Sequence, residues 1–363
     1  MDFGIALFTS AHSWKVAKRA EELGFDYAWF YDSQLLCADV YAAMALAAQN
    51  TSHIRLGTGV AIPSNRIAPV TASALATLNE IAPGRIDFGV GTGFTARRSM
   101  GMKAMRLDDM ETYVEQVYAL LREETVESEV EGHPRTMRLF HPDRGLINTA
   151  DPIPLHMSAM GPKARAVCAN MKAGWITFAG NERPAIDDLS NMRASWIEAG
   201  NDTNDLYSTA YTLGRVLEDN EPYDSPKALA QAGPLPAIIF HGIVDAEEHG
   251  GLIPMDPNWA PIVARYRQLY QAYEPKSERH LELHRGHLLY LRDDEKELIT
   301  GELIKTLSMT GTIDTLRNKI EKLHDAGYNQ LTIQIVNGQE DALEDWARVI
   351  NGMSRRFDRG CIG

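Results

Sequence analysis

Cysteine is scarce in this chain: three residues, Cys37, Cys168 and Cys361. Thiols that are odd in number and far apart argue against a disulfide framework and fit a reducing compartment. Long apolar runs are missing as well. No stretch of about eighteen consecutive apolar residues occurs, so a membrane-spanning helix is excluded. The N-terminal MDFGIALFTSAHSWK lacks a basic region ahead of an apolar core, so no secretory signal is expected and the protein is placed in the cytoplasm. No basic block offsets the formal net charge of −13, which speaks against nucleic acid as a partner. Three chemical signatures are absent: the G-x-S-x-G elbow, the Walker loop and the C-x-x-C pair. What remains is ample core material, 44% hydrophobic residues, for a soluble α/β enzyme.

That material is ordered in alternating segments. Apolar runs at 3–8, 26–32, 54–62 and 85–91 read as strands, each followed by a helical pattern, with Ser13 as the N-cap of the first helix and Gly24 as its stop. The alternation resumes with strands at 152–160, 175–180, 206–217 and 331–336. Eight strand–helix units predict a (β/α)8 TIM barrel, one domain over residues 1–363. Such a barrel needs about 250 residues. The excess falls in two insertions, an irregular polar excursion at 124–150 and a proline-broken helical segment at 218–310. The second follows strand seven and therefore lies at the C-terminal face of the barrel, where active sites are built. It reads as a lid over a pocket; a separate helical domain or an oligomer arm is the other reading.

Barrel logic restricts chemistry to the strand ends. These carry Phe8-Thr9-Ser10, Asp32-Ser33, Thr58-Gly59-Val60, Gly91-Thr92-Gly93, Ser158-Ala159-Met160-Gly161 and Ala179-Gly180. A rim of glycine and hydroxyl residues suits close backbone approach to a planar, phosphorylated ligand, with helix-start amides receiving the phosphate. Asp32 is its only carboxylate, too few for a multi-carboxylate metal site or a glycosidase pair; it can also simply cap the next segment. His280, His284 and His287 stand at i, i+4 and i+7, but Gly286 interrupts the helix and no metal is assigned. His241 and His287 are read as lid histidines acting as hydrogen-bond partners or as a general acid or base. Arg285 and the Arg97-Arg98 pair are candidate anion contacts. Phe8, Met160, Trp175, Trp259 and Tyr290 suggest a partly aromatic pocket for a small organic substrate.

The stretch from Asp26 to Gly93 resembles the bacterial luciferase-like superfamily, including the methylenetetrahydromethanopterin reductase branch. The matching pieces are LGTGV at 56–60, R-x-x-P-V-T-A at 66–72, P-G-R at 83–85 and G-x-G-x-G at 89–93; TGTIDTLRNKIEKLHDAGYNQLTIQIV fits the last crossover. The resemblance implies a flavin or deazaflavin ring at the barrel mouth, backed by a non-proline cis peptide at Gly59-Val60 or Thr58-Gly59. It maps cofactor binding to Thr9, Thr58, Gly59, Val60, Gly91 and Thr92, and phosphate binding to Ser158, Ala159, Met160, Gly161, Ala179 and Gly180. Deazaflavin-dependent relatives usually carry His directly after the strand-two Asp, where this chain has Ser33. The expectation is therefore a two-component monooxygenase using reduced FMN from a separate NAD(P)H:flavin reductase and O2, through a C4a-(hydro)peroxyflavin. Asp32, Thr58, His241 and His287 are its candidate catalytic groups, and a homodimer or higher homo-oligomer is expected. The alternatives are a deazaflavin-dependent oxidoreductase moving hydride without oxygen, and a non-catalytic flavin-binding protein.

Overall fold

The computed structural model describes residues 1–248, 253 and 255–353; Cys361 lies outside the described residues. Eight parallel strands close into a barrel in chain order. They are β1 (Asp2–Leu7), β2 (Tyr27–Phe30), β3 (Arg55–Thr58), β4 (Ile86–Val90), β5 (Leu155–Ser158), β6 (Gly174–Phe178), β7 (Ser208–Thr212) and β8 (Gln330–Ile335). Closure comes from β1 against β8, in register from Asp2 opposite Gln330 to Leu7 opposite Ile335. Most of these strands are rich in apolar residues, as expected of strands covered on both faces, whereas β7 and β8 also carry Ser208, Thr209, Thr212, Gln330, Thr332 and Gln334.

Two apolar shells result. The outer one packs helices onto the sheet, with Phe25, Phe88, Trp175, Trp196 and Trp346 among its buried members. The inner one fills the barrel and its mouth with Ala6, Phe8, Trp29, Tyr31, Ile176, Tyr211 and Leu213. Leu235 and Leu288, from the segment between β7 and β8, belong to the same inner cluster. That segment also has a core of its own, built on Phe240, Val244, Val263, Tyr266, Leu283 and Ile304.

Three local readings change. The first helix runs Ser13–Leu23 with His12 at the cap position, and Ser13 Oγ instead accepts from the Ser10 amide at 2.9 Å. Residues 124–150 contain an antiparallel hairpin, Val126–Val130 against His133–Met137. Its turn, Glu131-Gly132, has both φ angles positive, the geometry of a two-residue hairpin turn. Polar side chains on the alternating positions hid it. The long seventh strand is two pieces, because Gly214 lies so close to the Met309 carbonyl that a Cβ would collide with it. Beyond that point Val216–Leu217 pairs in parallel with Gly311–Thr312. Both ends of the 218–310 segment are thereby held side by side.

Candidate active site at the barrel mouth

The backbone shapes the mouth first. The Gly59–Val60 peptide at the end of β3 is cis. A Cβ on Gly59 would stand 2.9 Å from Tyr211 Oη and 3.0 Å from Trp29 Cβ, so only glycine leaves this floor unshifted. At Gly91 a Cβ would meet Val60 Cγ2 at 2.7 Å, so the loops after β3 and β4 press together. Beneath them the Tyr211 hydroxyl is fully buried and has no hydrogen-bond partner among the described residues. Buried polar atoms are ordinarily satisfied, so an orphan against this floor fits a site completed by a ligand.

Asp32 ends β2 and reaches across to the next loop. Its Oδ2 accepts from the Ile62 amide at 3.1 Å, and its Oδ1 faces Arg66 at 3.6 Å. Burial pushes the Asp32 carboxyl above the usual carboxylate range, against the opposing pull of the Ile62 amide and Arg66. A carboxyl of raised proton affinity at a strand end suits proton handling. Both readings of Asp32 therefore coexist in one side chain, as a brace for the following loop and as a titratable group at the mouth.

The hydroxyls are more committed than their sequence suggested. Thr58 Oγ1 donates to the Gly89 carbonyl at 2.7 Å and accepts from the Gly89 amide at 3.0 Å. It stitches β3 to β4 and has no donor left for the mouth, which corrects the proton-handling part expected of it. Thr9 Oγ1 donates to the Tyr31 carbonyl at 2.7 Å. Of the two segments expected to take phosphate, only one is open. Gly161, at the start of helix Pro162–Asn170, has no side-chain cap, and a Cβ there would meet nothing within 4 Å. Gly180 lies against the Leu307 carbonyl, and Asn181 caps helix Glu182–Glu198, so Ala179-Gly180 is covered. Met160 is 59% exposed on the open side, whereas Trp175 is buried and donates to the Ala159 carbonyl at 2.7 Å.

Residues 218–310 close over this rim by named contacts. Tyr31 donates to Gln334 Oε1 at 2.8 Å, and Gln334 Nε2 donates to the Leu288 carbonyl at 2.8 Å. Arg98, following β4, is ion-paired with Asp245 and lies 4.1 Å from the Phe94 ring centre. His287 Nε2 meets Thr95 Oγ1 at 3.3 Å. His241 sits within the inserted segment, as read from the sequence, with its Nε2 2.8 Å from Glu295 Oε2. Arg292 donates to the same carboxylate from its backbone at 3.0 Å and its guanidinium at 3.1 Å. Beside the mouth, a cavity of about 870 Å³ is lined by Leu229, Arg285, Tyr290, Val336 and Asn337 among others. Sequence reasoning missed the Arg98–Asp245 and Gln334–Leu288 links, which join residues far apart in the chain and leave no local pattern.

A closed parallel barrel with a glycine-floored mouth and an overhanging insertion is a shared architecture, and similarity decides the family. Residues 9–330 match the family described as luciferase-like monooxygenase. The chain belongs to that family. Luciferase-like proteins are oxidoreductases, and this one is similar along most of its length to 5,10-methylenetetrahydromethanopterin reductase of Methanolobus tindarius. The two are 27% identical over 338 residues, covering 91% of this chain and 93% of that one. An F420-dependent glucose-6-phosphate dehydrogenase from Nakamurella multipartita is 31% identical over 207 residues, 53% of this chain and 59% of its own. Among solved structures, the coenzyme F420 dependent tetrahydromethanopterin reductase from Methanopyrus kandleri superposes with a TM-score of 0.67 at 25% identity, covering 95% of this chain and 97% of that one. Among the described residues of this luciferase-like chain, no helix is long and apolar enough to cross a membrane.

Proposed function

We propose that this luciferase-like protein is a deazaflavin-dependent oxidoreductase that moves hydride between its cofactor and a small organic substrate without oxygen. The observation that carries the reading is the similarity over nine-tenths of the chain to methylenetetrahydromethanopterin reductases, one of them a coenzyme F420 dependent enzyme. It replaces the FMN monooxygenase expected from Ser33 alone, and removes the need for a partner flavin reductase and O2.

The residues at the mouth fit a planar, phosphorylated cofactor. Gly59 and Val60 would back its ring, above the orphaned Tyr211 hydroxyl. Ser158 to Gly161, leading into the uncapped helix start, would receive its anionic tail. When bound, a deazaflavin supplies a two-electron hydride donor or acceptor. The chain's own part is to orient, to exclude water and to manage a proton. Leu235 and Leu288 close the apolar mouth. Asp32, its proton affinity raised by burial, would hold or release a proton at the mouth.

The test is an anaerobic titration of the full chain with oxidised and reduced coenzyme F420 and, separately, FMN, followed by intrinsic fluorescence. F420 is expected to bind at least about tenfold more tightly than FMN, a difference of about 1.4 kcal/mol. Tighter binding of reduced FMN, with oxygen consumed in step with its oxidation once air is admitted, overturns the reading in favour of oxygenation.

A further inference from the structure

Three histidines of the inserted segment converge where it meets the loop after β4. The His284 and His287 rings lie 5.6 Å apart, centre to centre. His241 joins them from helix Pro234–Glu248 and is close enough to depress the proton affinity of both. His284 is only 5% exposed and His287 8%. Both His284 ring nitrogens, together with Nδ1 of His241 and of His287, find no hydrogen-bond partner among the described residues. Folded proteins seldom leave so many buried donors and acceptors unmatched in one place, so this spot is built for a polar guest.

The surroundings specify the guest's charge. Arg98 is matched by Asp245, and Arg292 by Glu295 and Asp294. Burial, the neighbouring histidines and Arg98 hold the His284 imidazole neutral, with its proton affinity lowered to about 3. With Arg98 and Arg292 already countered, an ion entering here would be buried without either of them as a free partner. A neutral imidazole presents one N–H donor and one lone pair. A hydroxyl, which both donates and accepts, matches that pair, and a carbonyl oxygen matches the donor alone. The cluster also borders the mouth: Leu288, the next residue after His287, belongs to the same apolar cluster as Phe8, Tyr31 and Tyr211 and is held by Gln334.

We propose that His284, flanked by His287 and His241, forms the subsite that binds an uncharged hydroxyl or carbonyl oxygen of the substrate. The substrate class is thus an alcohol and its carbonyl partner, a pair that differs by one hydride and one proton. This assignment rests on the hydride-transfer reading above, but the subsite can be tested apart from it.

The experiment uses full-length protein labelled with 15N-histidine and no cofactor. The ring nitrogens are followed by NMR during titration with 2-propanol, acetone, acetate and methylammonium. Saturable shifts of the His284 and His287 nitrogens with 2-propanol and acetone, and none with the two ions, support the proposal. His284→Phe is expected to weaken 2-propanol binding by about tenfold or more, the worth of one well-made hydrogen bond, while His284→Gln restores part of it. Unmoved ring nitrogens overturn the proposal, because the cluster then holds only water. A preference for acetate overturns it also. If His284→Phe fails to fold, the wild-type and His284→Gln titrations decide. F420 affinity is measured on the same samples, and is expected to change by less than about twofold in His284→Phe. Alcohol binding with no F420 binding supports the subsite and removes the hydride-transfer reading instead.

Discussion

Gly59 shows how a single missing side chain sets the mouth. Its Cα faces Tyr211 Oη and Trp29 Cβ at distances that no added carbon tolerates without displacement. Gly59→Ala is expected to destabilise the protein by about 1–3 kcal/mol, the usual cost of overpacking a buried site. Urea unfolding measures it, and the loss is expected to shrink in a Tyr211→Phe background, where the nearest atom is gone; equal losses in both backgrounds would reject this account. His284 makes a second prediction, through pH. Its proton affinity falls from 6.5 to about 3 on folding, so the unfolded chain binds the proton first. The stability of the neutral ring is therefore complete above about pH 6.5 and lost as pH drops towards about 3, by at most about 1.4 kcal/mol per unit. Lowering the pH across that window is expected to destabilise the wild type relative to His284→Phe, as read from urea unfolding of both proteins.

Elements explain what the sequence made legible. The barrel strands were readable because most are short runs rich in apolar residues, and because Gly24 and Pro83-Gly84 punctuate the helices between them. The hairpin at Val126–Met137 was not, since Val126, Val130 and Met137 are its few apolar residues among Glu127, Ser128, Glu129, His133 and Arg135. Asp32 was legible as the one rim carboxylate, yet Thr58 looked available until its hydroxyl was seen closed between two groups of Gly89. The histidines were found as a spacing, but whether their nitrogens have partners depends on helices distant in the chain. One link between elements is itself testable. Arg98 and Asp245 join the short helix after β4 to helix Pro234–Glu248. In a double-mutant cycle with Arg98→Met and Asp245→Asn, the coupling is expected to be about 1–3 kcal/mol, below that of a fully buried pair because Arg98 is partly exposed. A coupling near zero would mean that this ion pair adds nothing to the hold of the inserted segment on the rim.

The molecule as a whole consists of two apolar cores sharing a seam. The inserted segment keeps its own interior around Phe240 and Tyr266, and touches the barrel cluster through Leu235 and Leu288. Its ends are fixed beside each other, where Met309 donates to the Leu213 carbonyl at 2.9 Å, Gly311 to Arg215 at 3.1 Å, and Val216–Leu217 pairs with Gly311–Thr312. Replacing residues 218–308 by a flexible linker of about six residues is expected to leave a folded, less stable barrel. Circular dichroism and gel filtration check the fold; a chain that aggregates or stays unfolded would show that the two cores are one cooperative unit. The same two-residue ladder has a longer-term consequence. Because it fixes both junctions on the barrel side, the stretch between them is free to drift, lengthen or be exchanged over generations without disturbing the strand register beneath. On the subsite proposed at His284, the residues that choose a substrate lie between Val216–Leu217 and Gly311–Thr312, outside the barrel strands.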